Sequence, residues 1–155
     1  MKAGLGTQLR HLVELLDGAV DAAYAEAGLD YRPRYTPVMR TLVAQEPLTI
    51  GEIAARAGIT QPAATQTVSL MVKEGLLVVT PGARDARQKM VRLSAQGREM
   101  LPRIQACWAA TKAAADGLDA ELPYALSQAL AEAIRALEAR PFGARIRAAR
   151  DAAGD

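Results

Sequence analysis

The sequence predicts a mostly α chain with one small β-hairpin, an α+β fold. Three observations carry this expectation. Apolar residues recur at helical spacing near both ends, two short helices in the middle are separated by a glycine turn, and two strand-like runs flank a long polar loop.

Composition sets bounds before any motif does. The 155 residues are 50% hydrophobic and 23% charged, which suits one domain over 1–155 with a real core, or one lobe of an oligomer. No apolar run approaches the roughly 18 residues of a membrane span, and Arg10, Glu14 and Asp17 interrupt the N-terminal segment before a signal-peptide core forms. A cytoplasmic location is the expectation. One cysteine excludes an internal disulfide, and with one histidine it excludes a Cys/His metal cluster within the chain. No cofactor and no enzyme are expected, because no nucleophile with a base, catalytic carboxylate pair or phosphate-binding glycine loop is found. Net charge is +2, yet residues 49–93 hold six Lys/Arg against three Asp/Glu, while 1–48 hold five against six and 94–155 eight against eight. Such a central excess suits an anionic polymer, although a solvated face reads the same on charge alone.

From the N-terminus, Leu9, Leu12, Val13, Leu16, Val20 and Tyr24 form a stripe opposite Glu14, Asp17 and Asp21, predicting a helix over 7–28 that Gly28 ends. "YRPRYTP" breaks the chain. Thr36 reads as the N-cap of the next helix, with Pro37 at its first position, Met39, Leu42 and Val43 as its stripe, and Pro47 as its end. Thr49 and Glu52 form a capping box, the hydroxyl and the carboxylate each satisfying a free amide. Ile50, Ile53, Ala54 and Ala57 face inward, Gly58 closes this helix, Ile59 is a buried linker, and Thr60 caps another helix with Pro62 in its first turn. Ala54 is small enough for a close crossing. The result is a helix-turn-helix, although any pair of short core helices carries the same punctuation.

The second of these helices buries Ala64, Val68 and Met71 and turns Gln61, Thr65, Gln66, Ser69 and Lys73 to solvent. Its face carries no charge between Gln61 and Val72, whereas an ordinary soluble face is rich in Glu and Lys. Gln pairs with the N6 and N7 edge of adenine, and Thr meets a thymine methyl or a phosphate, so this face suits base recognition. After Gly75 the period becomes that of strands, with "LLVVT" and "MVRLS" enclosing "PGARDARQK". Helix, turn, helix, hairpin is the order of a winged helix, here over 36–93.

At this point "LTIGEIAARAGITQPAATQTVSLMVKEGLLVVTPGARDARQKMVRLSAQGREML", residues 48–101, resembles the core of the MarR transcriptional regulators. Gly75-Leu76 entering the hairpin, Asp85-Ala86-Arg87 in its tip and the "VRLSAQG" exit into a long helix carry the resemblance. It implies a homodimer whose terminal helices, over 7–28 and 94–140, interlock, and a repressor that grips a palindromic operator in double-stranded DNA and responds to a small molecule. It places the helix from Thr60 in the major groove, Arg87 in the minor groove and Asp85 as the residue that shapes the tip. Arg84 and Lys89 then meet phosphates, with Lys73 and Arg56 in support. It also implies a pocket beside the dimer helices, for which Tyr24, Tyr35, Met39, Arg40 and Trp108 are the lining candidates. Arginine beside aromatics suits a small aromatic carboxylate. The sequence departs from the family at Gln66 and Leu70, where arginine is common, and at Gly82 and Ala83, where an acidic wing residue is common.

Ser94 caps a helix through about Leu118, with Ile104, Trp108, Thr111, Ala115 and Leu118 at heptad-like spacing and Pro102 early enough to bend it. Another is predicted from about Leu122 to Arg140, with Leu126, Leu130, Ala133, Ile134 and Leu137 as its stripe and Pro141 as its stop. Leu9, Leu12, Leu16, Leu126, Leu130, Ile134 and Leu137 read as a dimer interface, with an intramolecular bundle as the alternative. Residues 141–155 read as a basic tail, frayed or weakly helical. His11 reads as a helix-surface residue, and Cys107 as a packing residue because no neighbour lowers its thiol pKa. Tyr31, Arg32, Arg34 and Tyr35 leave three readings open: a phosphate site, an aromatic-acid pocket or a brace for the first helix junction. The alternative to a regulator is a winged helix used for protein interaction.

Overall fold

The computed structural model describes residues 3–154. Helix α1 (Leu5–Glu26) leads through a 3-10 turn (Pro33–Tyr35) into α2 (Thr36–Ala44), α3 (Ile50–Ala57) and α4 (Gln61–Lys73). Strands β1 (Leu77–Pro81) and β2 (Lys89–Leu93) follow, then α5 (Ala95–Glu121), α6 (Leu126–Ala139) and α7 (Phe142–Ala153). This is the mostly α chain with one antiparallel hairpin that the sequence predicts. It divides into two compact units, Met1–Trp108 and Ala109–Asp155. Among the described residues no helix is long and apolar enough to cross a membrane.

The core of the first unit gathers Met39 and Leu42 from α2, Ile53 from α3, Val68 and Met71 from α4, Leu77 and Val91 from the hairpin, and Ile104 from α5. Removing these side chains from water, at roughly 25 cal/mol per Å² of apolar surface, drives the short helices together. Their ends are fixed locally. Thr49 Oγ1 accepts from the Glu52 amide at 3.2 Å while Glu52 Oε2 accepts from the Thr49 amide at 2.8 Å, the expected capping box. Gly58 ends α3 at φ 68°, a left-handed conformation that favours glycine. Thr60 then caps α4, its hydroxyl accepting from the Ala63 amide at 3.3 Å. Ile53 and Ala54 are buried as expected, whereas Ile50, Ala57 and Ile59 are only half-buried at the edge of the core.

The hairpin pairs Leu77 with Leu93 and Val79 with Val91, each strand shifted by one residue from its predicted bounds. Leu48 adds an isolated antiparallel bridge to β2, exchanging backbone hydrogen bonds with Val91 at 3.1 and 2.8 Å. Ser94 sits where the hairpin meets α5. Its hydroxyl donates to the Gly75 carbonyl at 2.5 Å and accepts from the Gly97 amide at 2.9 Å, so the predicted cap is present.

Four expectations are corrected. Thr36 is not an N-cap but the first residue of α2, because the 3-10 turn runs straight into that helix; its hydroxyl instead lies 3.3 Å from that of Tyr31. The helix predicted from Leu122 begins at Leu126, after Pro123, and Asp119 accepts from the Ser127 amide at 3.2 Å to close the intervening turn. The helix before it extends to Glu121 rather than Leu118. Of the two readings of the tail, frayed or weakly helical, the helical one holds and the frayed one does not: residues 142–153 form a regular helix, α7, and Arg145 supports it by donating to the Ala136 carbonyl at 3.0 Å.

Gly97 offers the sharpest packing test. A Cβ there would lie 2.3 Å from the Leu76 carbonyl oxygen, and both atoms belong to backbone that hydrogen bonds hold in place. Gly97→Ala should lower stability by about 1–3 kcal/mol, measured as a reduced urea midpoint with an unchanged slope.

Candidate nucleic-acid interface

Helix α4 turns Ala64, Thr67, Val68 and Met71 to the core, which leaves Gln61, Thr65, Gln66, Ser69 and Lys73 exposed. Beside it stands the wing. Gly82 and Gln88 close its tip through an amide-to-carbonyl bond of 2.8 Å, and Gln88 in turn donates to the Asp85 carbonyl at 3.1 Å. A Cβ on Gly82 would lie 2.6 Å from that same carbonyl, so the tip closed in this way leaves no space for a side chain at position 82. Asp85 Oδ1 accepts from the Arg87 amide at 3.0 Å and from Arg87 Nε at 3.3 Å, so the carboxylate both shapes the tip and steers the guanidinium. The Arg87 side chain is otherwise free, 93% exposed.

The structure brings some of the expected residues together and separates others. Thr65 and Ser69 from α4 line one cleft with Arg87 and Lys89 from the wing, a concavity of about 860 Å³. Arg84 lies elsewhere on the wing, in a hollow with Arg92 and Pro47. Arg56 is exposed but engaged, donating to Gln45 Oε1 at 2.6 Å. Lys73 is exposed at the end of α4.

The segment around Tyr31 braces the first helix junction. Tyr31 packs edge-on against Tyr24 at 4.7 Å and against Tyr35 at 5.7 Å, and all three rings are buried. Burial raises the Tyr31 hydroxyl pKa, and burial together with the facing Glu74 carboxylate pushes Tyr35 up to about 12. Both therefore stay neutral near pH 7 and offer no anion to the arginines beside them. Met39 is likewise wholly buried, while Arg40 is exposed and holds its guanidinium 4.4 Å above the centre of the Trp108 ring. The indole Nε1 is buried without a hydrogen-bond partner among the described residues.

Of the apolar stripe on α1, Leu9 and Leu16 are exposed, Leu12 is half-buried and Tyr24 alone is buried. In the second unit Leu130, Ile134 and Leu137 are exposed, Leu126 is half-buried, and neither α6 nor α7 has a buried residue. His11 is a surface residue, and Cys107 packs half-buried against the core.

Two contributions were not foreseen. Arg34 reaches across from the 3-10 turn and donates to Gln66 Oε1 at 3.4 Å. Glu46 accepts from the Leu93 amide at 2.7 Å and pairs with Arg98, tying the base of the wing to the loop after α2 and to the start of α5. Sequence separations of 32 for the first and of 47 and 52 for the second hide both contacts from local patterns. Asp85→Ala should speed amide exchange at Arg87 and Gln88 while Val91 keeps its protection, because the tip loses its anchor and the strand pairing does not.

Comparison with known proteins places this geometry. Residues 28–88 match the MarR family model. An uncharacterized HTH-type transcriptional regulator of Staphylococcus aureus (strain N315) is 30% identical over 63 residues, 41% of this chain and 43% of the relative. The match thus spans less than half the length of such curated relatives. Among solved structures, the S. aureus MepR–DNA complex superposes with a TM-score of 0.69 at 15% identity, over 89% of this chain and 98% of that one. The transcriptional repressor CouR bound to a 23-mer DNA duplex gives 0.65 at 23% identity, over 87% and 92%. PcaV of Streptomyces coelicolor, in complex with its natural ligand, gives 0.61 at 22% identity, over 90% and 98%. These likenesses show a shared fold. Through residues 28–88 the chain matches the MarR family model, and its winged helix has the fold of these structures.

Proposed function

We propose that this chain is a homodimeric transcriptional regulator, a repressor that grips a palindromic operator and releases it on binding a small aromatic ligand. The observation that carries the reading is the cleft shared by α4 and the wing. An uncharged hydrogen-bonding helix face on one side and cations on the other suit a duplex, whose base edges are read by the first and whose phosphates attract the second. In this reading α4 lies in the major groove, and Arg87 enters the minor groove where narrow A·T-rich DNA concentrates negative potential. Arg84 and Lys89 meet phosphates, with Lys73 and Arg56 in support. That MepR and CouR of the same fold have been solved on DNA supports this assignment.

Dimerisation is inferred from the exposed apolar residues of α1 and α6, which leave Leu9, Leu16, Leu130, Ile134 and Leu137 without cover. The ligand site is proposed around Trp108, where Arg40 stacks on the indole, with Tyr24, Tyr35 and Met39 of the same buried core as the further lining candidates. A planar cation beside an aromatic face fits a small aromatic carboxylate.

The reading as a whole is tested by gel shift against genomic fragments. A regulator selects a short palindrome, whereas a chain that binds no sequence selectively but captures a protein partner is an interaction module. Light scattering at micromolar concentration should report twice the chain mass of 16.4 kDa, and Leu130→Glu with Leu137→Glu should return it to one mass and abolish operator binding. Arg84→Ala or Lys89→Ala should weaken binding to all sequences alike and lower the salt slope by about 0.9 per lost phosphate contact, or roughly twice that per dimer. Titration with phenolic and benzoic compounds should change Trp108 emission and reduce DNA affinity together; a flat emission with unchanged affinity removes the ligand site.

A further inference from the structure

Arg34 is a cation beside the candidate face that belongs to neither α4 nor the wing. Arg34 lies in the 3-10 turn, which packs against α4, and it donates from Nη2 to Gln66 Oε1 at 3.4 Å. The next residue, Tyr35, is wholly buried, so the turn is anchored and Arg34 is held on the solvent side beside the helix. Among the described residues no carboxylate lies within ion-pair distance of its guanidinium, although Asp17 and Asp21 line the neighbouring hollow. Its charge remains available.

The consequence follows from donor and acceptor chemistry. A guanidinium has five N–H donors and no acceptor, whereas a glutamine amide has one acceptor oxygen and two N–H donors. A lone glutamine reads adenine by accepting from N6 while donating to N7, which requires its oxygen to face the base. Here that oxygen is turned to Arg34. What the pair offers outward is Gln66 Nε2 and the remaining N–H groups of Arg34, a surface made of donors. Guanine presents two acceptors, O6 and N7, on its major-groove edge, while adenine places a donor beside these donors.

We propose that Arg34 and Gln66 act as one composite reader that selects guanine at the base pair they reach, in place of the adenine a free glutamine selects. This rests on the regulator reading and names the residue that sets its specificity. It also returns positive charge to a helix face that has none of its own between Gln61 and Val72.

The test is selection of operators from a randomised duplex pool by the wild type, Arg34→Ala and Gln66→Ala, followed by titrations on duplexes that differ only at the selected position. The wild type should favour guanine over adenine there, and at the symmetry mate, by about tenfold. Arg34→Ala should turn that preference towards adenine and leave other positions unchanged, while Gln66→Ala should erase it. If Arg34→Ala proves unstable on thermal melting, Arg34→Gln, which adds an acceptor to the pair, is judged by the same shift. Loss of affinity on all duplexes equally with a shallower salt slope would make Arg34 a phosphate contact and overturn the proposal, as would an unchanged base preference. A wild type that selects no sequence at all ends the regulator reading itself, and the composite reader with it.

Discussion

The position of the wing depends on one close backbone approach. The amide of Ser94 donates to the Leu76 carbonyl at 3.0 Å, and Gly97 lies against that same carbonyl with no space for a methyl group. Helix α4 ends at Lys73, Gly75 turns the chain at φ 80°, and Leu76 donates back to the Met71 carbonyl at 2.9 Å. The end of α4, both strand bases and the first turn of α5 therefore meet within a few residues. These backbone bonds tie the base of the hairpin to the end of α4 and the start of α5 on the side of the cleft. Glu46 adds a second tie by holding the Leu93 amide from the opposite side.

The division of labour on the candidate face follows from this geometry. In the proposed reading the face of α4 from Gln61 to Val72, which carries no charge, contributes hydrogen bonds and methyl groups, which discriminate between bases but attract a polyanion weakly. Cations are supplied by neighbouring elements instead: Arg87 and Lys89 on the hairpin side of the cleft, Arg34 from the turn before α2. In the proposed reading attraction comes mainly from the wing, while discrimination belongs to α4 and to Arg34 through its bond to Gln66.

Much of this was legible because the signals are local. Thr49 with Glu52, Gly58, Thr60, Gly75 and Ser94 each act within a few residues, and the structure places each of them as its chemistry requires. Thr36 misled because a hydroxyl before proline is also a good tertiary partner, and the buried tyrosines claimed it. The C-terminal residues misled because a short, strongly basic helix has little apolar periodicity to announce it, yet small alanines and the Arg145 bond to Ala136 sustain it. Arg34, Glu46 and Arg98 were out of reach, since their partners are set by the packing of elements far apart in sequence.

The wing tip is closed by bonds among its own residues: Gly82 to Gln88, Gln88 to Asp85, and Asp85 to Arg87. Ala83, Arg84 and Ala86 are exposed, and their side chains make no hydrogen bond among those described in the loop. Such a loop behaves as an interchangeable cassette on a fixed mount. The outward side chains at these three positions can therefore vary without disturbing the core or the strand register, so the charge that the tip presents can change by single substitutions while the fold is kept.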